Sequence, residues 1–171
     1  MPMLLAGLLC ACSSAWSKTV LENAALLGMN REQLAPALVD ARPVRSPRRL
    51  SSGALGAWRV PDMLCEGAHF EQTLFFVQQK LAQMDLVLLQ AHSGPGSGRA
   101  VTATYTALLQ SLRARLGPEL ASSASTPQAL MDTASWVSAG ADVMLFRFGK
   151  PDHPGLRMVI RQRRLVDASE L

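Results

Sequence analysis

The sequence predicts an α+β fold in which two helix-plus-antiparallel-sheet units, each α-β-β-β, pack as a two-layer sandwich after an N-terminal signal segment. Three observations lead to this prediction. A short apolar run opens the chain, an amphipathic helix follows a glycine-rich link in the middle, and strands that alternate apolar and polar residues end both halves. With 171 residues, 49% of them hydrophobic, the chain is long enough to bury one core.

The N-terminal segment, residues 1–15, has the properties of an export signal. It carries no charge, and the run Met3–Cys12 is apolar, with the length of a signal sequence and too short to span a hydrocarbon core of about 30 Å. The stretch Leu9–Cys12 resembles a bacterial lipobox, which implies that Cys12 is acylated and becomes the first mature residue. Ordinary cleavage before Trp16 stays open as the alternative. We expect an exported protein of the periplasm or outer membrane, lipid-anchored and without a transmembrane span.

The first α-β-β-β unit is predicted over residues 17–91. Asn30, with Gln33 three residues later, indicates a helix start, and Pro36 should leave a short, imperfect helix that ends near Ala41. The arginine-rich stretch Arg42–Gly56 lacks periodicity and is predicted to be a connector. Strands are then expected at Ala57–Val60, Phe70–Gln78 and Leu81–Leu89.

A flexible link is predicted over residues 92–99, because this segment holds three glycines and a proline. It is not a nucleotide phosphate loop, since Gly98 is followed by Arg99 and not by lysine.

The second unit is predicted over residues 100–166. It begins with a helix whose apolar stripe ends before Gly117-Pro118; the stripe consists of Val101, Tyr105, Leu108, Leu109, Leu112 and Leu116. A strand with Trp136 and a hairpin of Asp142–Phe148 with Leu156–Arg163 should follow.

The two halves share an order of elements, which suggests a duplication, and the strand tryptophans Trp58 and Trp136 lie 78 positions apart. The run Gly28–Leu34, followed by Trp58 and by Phe75-Phe76, resembles the SmpA or BamE-like family of small envelope lipoproteins. A tandem version of that unit resembles the fold of β-lactamase-inhibitor proteins. The resemblance implies a module that works by surface contact with a partner protein.

Few residues have the spacing that catalysis or metal binding requires. The three histidines show no metal-ligand spacing, and no serine lies in a nucleophile motif, so the sequence predicts no catalytic residue, no metal site and no cofactor. The closest candidate is the loop from Cys65 to His69, with Asp62 and Glu66 beside it. This loop supports the alternative prediction of an exported enzyme or a metal-binding protein.

The last hairpin carries the residues predicted to bind a partner. Arg147, Arg157, Arg161 and Arg163 are expected on one solvent face of the sheet, opposite a core face formed by Met144, Met158 and Ile160. Guanidinium groups suit planar carboxylates and phosphates. Ordinary protection of a sheet against aggregation explains the same residues without any partner.

The composition narrows the class of partner. The chain has a formal charge of +4 and a pI of about 9.4, yet it shows no clustered nucleic-acid-binding motif, so nucleic acid is not expected. The sequence predicts a non-enzymatic envelope lipoprotein or periplasmic module that binds an envelope protein through a sheet face. Its membrane contact would be the lipid anchor alone. Binding of an anionic lipid or glycan to the arginine strip is the further alternative.

Overall fold

The computed structural model describes residues 18–89, 97–124, 130–150 and 154–163. In chain order, the elements are α1 (Val20–Ala24), α2 (Arg31–Leu34), β1 (Arg42–Pro43), β2 (Leu55–Cys65), β3 (Ala68–Val77), β4 (Lys80–Leu88), α3 (Ser97–Leu116), β5 (Ala121–Ser123), β6 (Leu130–Ser138), β7 (Ala141–Gly149) and β8 (Pro154–Gln162). The strands form one antiparallel sheet in the order β1-β2-β3-β4-β8-β7-β6-β5.

Three two-residue turns determine how the long strands pair. The turns are Glu66-Gly67 between β2 and β3, Gln78-Gln79 between β3 and β4, and Ala139-Gly140 between β6 and β7, and all six residues have positive φ angles. Turns of this kind match the right-handed twist of the strands they join, so neighbouring strands pair directly. Each turn therefore sets the pairing of its own two strands locally.

The helices of the first half are single turns. Both begin with a capping box, Thr19 with Glu22 in α1 and the predicted Asn30 with Gln33 in α2. The expected continuation of α2 to Ala41 is wrong, because the helix ends at Leu34, two residues before Pro36.

The long helix α3 confirms the amphipathic stripe in the sequence. Its apolar residues Val101, Tyr105, Leu108 and Leu112 are buried, and Leu109 and Leu116 are half-buried. The helix ends at Leu116 and is followed by Gly117, whose φ of +83° is a conformation that glycine adopts without strain. It begins at Ser97, inside the predicted link of residues 92–99.

The core lies between the helices and one side of the sheet, which we call the helix face. This face carries the buried apolar residues of the central strands, including Met84, Leu86, Val143, Leu145, Met158 and Ile160. None of the three described helices packs against the opposite side of the sheet, which we call the open face. Its residues include Asp85, Val87, Phe146, Phe148, Arg157, Val159 and Arg161.

The prediction of two α-β-β-β units packed as a sandwich is wrong. The strands of both halves belong to one sheet, because β4 pairs with β8 through the register Gln83 to Arg161 and Val87 to Arg157. Within residues 18–89, the helices are also too short to form such a unit, since α1 has five residues and α2 has four. Glycine at position 28 and proline at position 36 interrupt the segment that would have supplied a longer helix.

Candidate functional site

The open face contains most of the arginines that the sequence places at a binding surface. The alternation of β8, continued by one residue beyond its end, places three arginines on the side opposite the buried Leu156, Met158 and Ile160. These arginines are Arg157, Arg161 and Arg163. Arg163 is exposed, and its backbone N–H donates to the carbonyl oxygen of Gly140.

Two residues lie on the face opposite to the one expected. Arg147 is paired with Leu156 and is therefore on the helix face, whereas Met144 is paired with Val159 and is on the open face. The sequence showed an alternating pattern in both strands but not how the strands register. The expected group of four arginines on one face is therefore corrected to three, with Arg147 in a different environment.

At the centre of the open face, two arginines converge on a single carboxylate. Asp85 Oδ2 accepts hydrogen bonds from Arg157 at 2.5 Å and from Arg48 at 3.1 Å, and Oδ1 accepts one from Gln83 at 2.7 Å. The Asp85 side chain is only 4% exposed, whereas Arg157 is 33% and Arg48 is 64% exposed. One negative charge thus holds two positive charges, which leaves a local excess of positive charge that a ligand carboxylate can reach.

The arginine-rich connector supplies part of this surface. The guanidinium of Arg48 lies 5.4 Å from the centroid of the Phe75 ring, and one of its nitrogens donates the hydrogen bond to Asp85. Phe75 is fully buried although it belongs to the open face. The predicted connector Arg42–Gly56 therefore places Arg48 over the sheet. Arg48 and Asp85 are site residues that sequence reasoning missed. One signal in the sequence could have indicated them. Asp85 is an acidic residue at a polar position of β4, in a chain whose strands and connector carry many arginines.

An apolar pocket of about 200 Å³ adjoins the arginine pair. Its lining residues are Met131, Phe146, Phe148 and Arg157. Met131 is 55% exposed and Phe148 is 37% exposed, so large apolar side chains face solvent here. Phe146 is the direct cross-strand neighbour of Arg157, which brings the pocket and the guanidinium together.

A second depression, of about 260 Å³, lies on the other side of the arginine pair. Arg161 and Asp142 form one wall, with the Arg161 Nε donating to Asp142 Oδ2 at 3.0 Å, and Gln83 and Ala54 contribute to the rest. The open face thus offers, in order, an apolar pocket, two guanidinium groups on one carboxylate, and a polar hollow.

The loop from Cys65 to His69 does not form a thiol–imidazole pair. Cys65 is paired with Ala68 on the helix face, whereas His69 is paired with Leu64 on the open face, where its Nδ1 lies 2.7 Å from Asp62 Oδ1. Burial raises the pKa of the Cys65 thiol to about 12, so this thiol is protonated at neutral pH. In the described parts of the chain, no group of three His, Cys, Asp or Glu side chains has the arrangement of a metal site.

The proposed lipidation residue, Cys12, lies outside the described residues. Among the helices of the described ranges, none is long and apolar enough to cross a membrane.

Comparisons with protein-family models, with curated proteins and with solved structures found no match to this chain.

Proposed function

We propose that this chain is a non-enzymatic module of the bacterial envelope that binds a protein partner through the open face of its sheet. The observation that carries the proposal is the arginine pair on Asp85, next to a pocket of exposed aromatic and methionine side chains. Aromatic residues, methionine and arginine are the residue types that protein interfaces favour. The partner is a protein segment with an apolar side chain for the pocket and a carboxylate for the guanidinium groups.

Charge and exposure favour an acidic partner over a neutral one. Arg48 and Arg157 share one carboxylate oxygen, so an incoming carboxylate can take one guanidinium without leaving Asp85 unpaired. Arginine binds carboxylates with two parallel hydrogen bonds, and partial burial strengthens them. The apolar pocket supplies the non-electrostatic part of the affinity.

Photo-crosslinking in cells identifies the partner. A photoreactive amino acid at Phe148 should form an adduct with one envelope protein, and the same label at Val39, which is 85% exposed and follows α2 in the chain, should not. With that protein purified, Arg157→Glu and Phe148→Ser should each weaken binding at least about tenfold, which corresponds to about 1.4 kcal/mol. Val39→Ser should leave binding unchanged.

Two outcomes would overturn the proposal. One is an adduct that forms from Val39 and not from Phe148. The other is binding to vesicles of anionic phosphatidylglycerol that is lost on Arg157→Glu while no protein adduct is found, because the occupant of the face would then be a lipid headgroup. High salt separates the two occupants further, because exposed charges are screened beyond about 8–10 Å at ordinary ionic strength. It should weaken binding to a lipid headgroup more than binding to a protein, since the apolar pocket also contributes to the latter.

The envelope location rests on the N-terminal apolar run and on Cys12. Mass spectrometry of the mature protein should show a diacylglyceryl group on Cys12 as the first residue. An unmodified N-terminus at Trp16 would remove the lipid anchor from the proposal and leave export in place.

A further inference from the structure

A groove of about 510 Å³ runs between α3 and strands β5 and β6, and it shares no lining residue with the two pockets of the open face. Its volume lies within the range of roughly 300–1,000 Å³ that is usual for small-molecule sites. Unlike the apolar pocket of about 200 Å³ on the open face, this groove is lined mainly by hydroxyl and charged side chains of α3, β5, β6 and β7.

One wall of the groove is a charged pair at the end of an apolar row of β7 residues. The preceding β7 residues on the helix face, Val143 and Leu145, are fully buried, and Arg147 continues this row. The Arg147 Nε donates to Asp132 Oδ2 at 2.5 Å, and one terminal nitrogen donates to Thr102 Oγ1 at 2.6 Å. Its guanidinium also lies 5.6 Å from the centroid of Tyr105.

This pair is largely removed from water, which costs desolvation free energy. The side chain of Arg147 is 17% exposed and that of Asp132 is 11% exposed. An ion pair this far removed from water contributes little to stability compared with apolar residues of the same volume. Stability alone therefore does not account for a charged pair at this position, and both side chains line the groove.

A second ion pair lines the groove farther along α3. The Arg113 Nε donates to Glu119 Oε2 at 2.8 Å, and a terminal nitrogen donates to Oε1 at 2.5 Å. The hydrogen bonds from Arg113 hold the pKa of Glu119 at about 2, so both members of the pair are charged at neutral pH. Half-buried Leu109, one helical turn before Arg113, also lines the groove.

The groove is thus electroneutral but rich in donors and acceptors. An anion would have to compete with Asp132 and Glu119 for the arginines, and a cation would have to compete with the arginines for the carboxylates. A neutral molecule with many hydroxyl groups avoids both costs, because each hydroxyl both donates and accepts. The carbon-bound hydrogens of such a molecule can pack on Leu109 and Ala134, which also line the groove.

We propose that the groove between α3 and β6 binds a neutral saccharide, with Arg147 and Asp132 as its hydrogen-bonding pair. This site is separate from the open face. The proposal does not depend on the protein partner and reassigns Arg147 from partner binding to ligand binding.

The test uses the full chain and ligand-observed NMR with maltose, cellobiose, N,N′-diacetylchitobiose and mannobiose. At least one should bind saturably with a dissociation constant below about 10 mM, or roughly −2.7 kcal/mol or better. Thr106→Phe should lower that affinity at least about tenfold, because exposed Thr106 lines the groove and a ring there fills it. Ala107→Phe is the matched control, since Ala107 is exposed on the same helix and does not line the groove.

Three results would overturn the proposal. They are no binding of any of the four sugars, equal binding by the Thr106→Phe variant, and displacement of a bound sugar by inorganic phosphate at equimolar concentration. Asp132→Asn, which keeps the side-chain volume, gives a second readout, because it should weaken sugar binding while Arg157→Glu should not.

Discussion

Two glycines of the open face lie directly opposite phenylalanines on the neighbouring strands, Gly56 opposite Phe75 and Gly155 opposite Phe148. A Cβ atom at Gly56 would lie 2.8 Å from Phe75 Cε1, and one at Gly155 would lie 2.7 Å from Phe148 Cε2. The ring of Phe75 has less room to move than the ring of Phe148, because Phe75 is fully buried whereas Phe148 is 37% exposed. The absence of a side chain at each glycine makes room for the ring.

This difference predicts unequal costs for the same substitution. Gly56→Ala should lower the free energy of unfolding by about 1–3 kcal/mol, because the ring of Phe75 has no room to move. Gly155→Ala should cost less than about 1 kcal/mol, because Phe148 can swing toward solvent. Urea titrations of the two variants measure both values, and equal losses would contradict the packing described for the open face.

A second residue of interest is Cys65, which is buried and accepts a hydrogen bond from Asn23 Nδ2 at 3.6 Å. Burial raises the pKa of its thiol from 9.0 to about 12. Because the native state keeps this proton while the unfolded state loses it above pH 9, stability from this residue is complete below pH 9 and is lost as the pH rises toward 12.

The free energy of unfolding should therefore fall less steeply above pH 9 when Cys65 is replaced by alanine. At a pH of about 10.5, the fall attributable to the thiol should be roughly 2 kcal/mol. Denaturant titrations of the parent chain and of Cys65→Ala from pH 8 upward give the difference. Parallel curves would mean that the native thiol titrates normally and is accessible.

At the scale of the elements, the turn between β2 and β3 anchors the helices to the sheet. Glu66 is at this turn, and its side chain is 1% exposed. Its Oε1 accepts the Val20 N–H of α1 at 2.9 Å, and its Oε2 accepts Ser111 Oγ at 2.7 Å and Arg115 Nε at 3.1 Å, both from α3. One carboxylate thus joins a one-turn helix, the long helix and the sheet, in addition to the apolar contacts that both helices make with the core.

Removal of this carboxylate should be costly. Glu66→Ala leaves three donors without their acceptor and should lower the free energy of unfolding by about 1–3 kcal/mol. Asp62→Ala is the matched control, because Asp62 is 62% exposed and pairs with His69, 59% exposed, so its loss should cost less than about 1 kcal/mol. Thermal unfolding of both variants compares them, and equal shifts in Tm would show that Glu66 does not join the elements.

At the scale of the whole molecule, the pairing of β4 with β8 joins the two halves of the chain into one sheet. Leu86 and Met158 meet across this seam, and both are fully buried in the core that the helices cover. Long-range pairing of this kind makes the stability of each half depend on the other.

The molecule should consequently unfold in one transition. With 5-fluorotryptophan incorporated, the ¹⁹F signals of Trp58 in β2 and Trp136 in β6 should lose intensity at the same urea concentration. Leu86→Ala should lower both midpoints together, with a cost of about 2–5 kcal/mol. Two separate midpoints would show that the halves are independent units after all.

The sequence alone predicted those features that depend on neighbours along the chain. The apolar stripe from Val101 to Leu116 predicted α3, the Asn30–Gln33 pair predicted a helix start, and the alternation of β8 predicted its two faces. Capping, periodicity and turn chemistry act over a few residues, so they can be read from a short window.

Only the tertiary structure decided which side chains meet. The Asp85 site depends on a connector arginine 37 positions earlier and on a β8 arginine 72 positions later, and no local pattern links them. The alternation of β7 was visible in the sequence, but the register of β7 against β8 placed Arg147 with the helix and not with Arg157. Side chains alternate along a strand with a period of two. The composition of a face therefore depends on which strands pair and on their register, and burial of the whole core decides both.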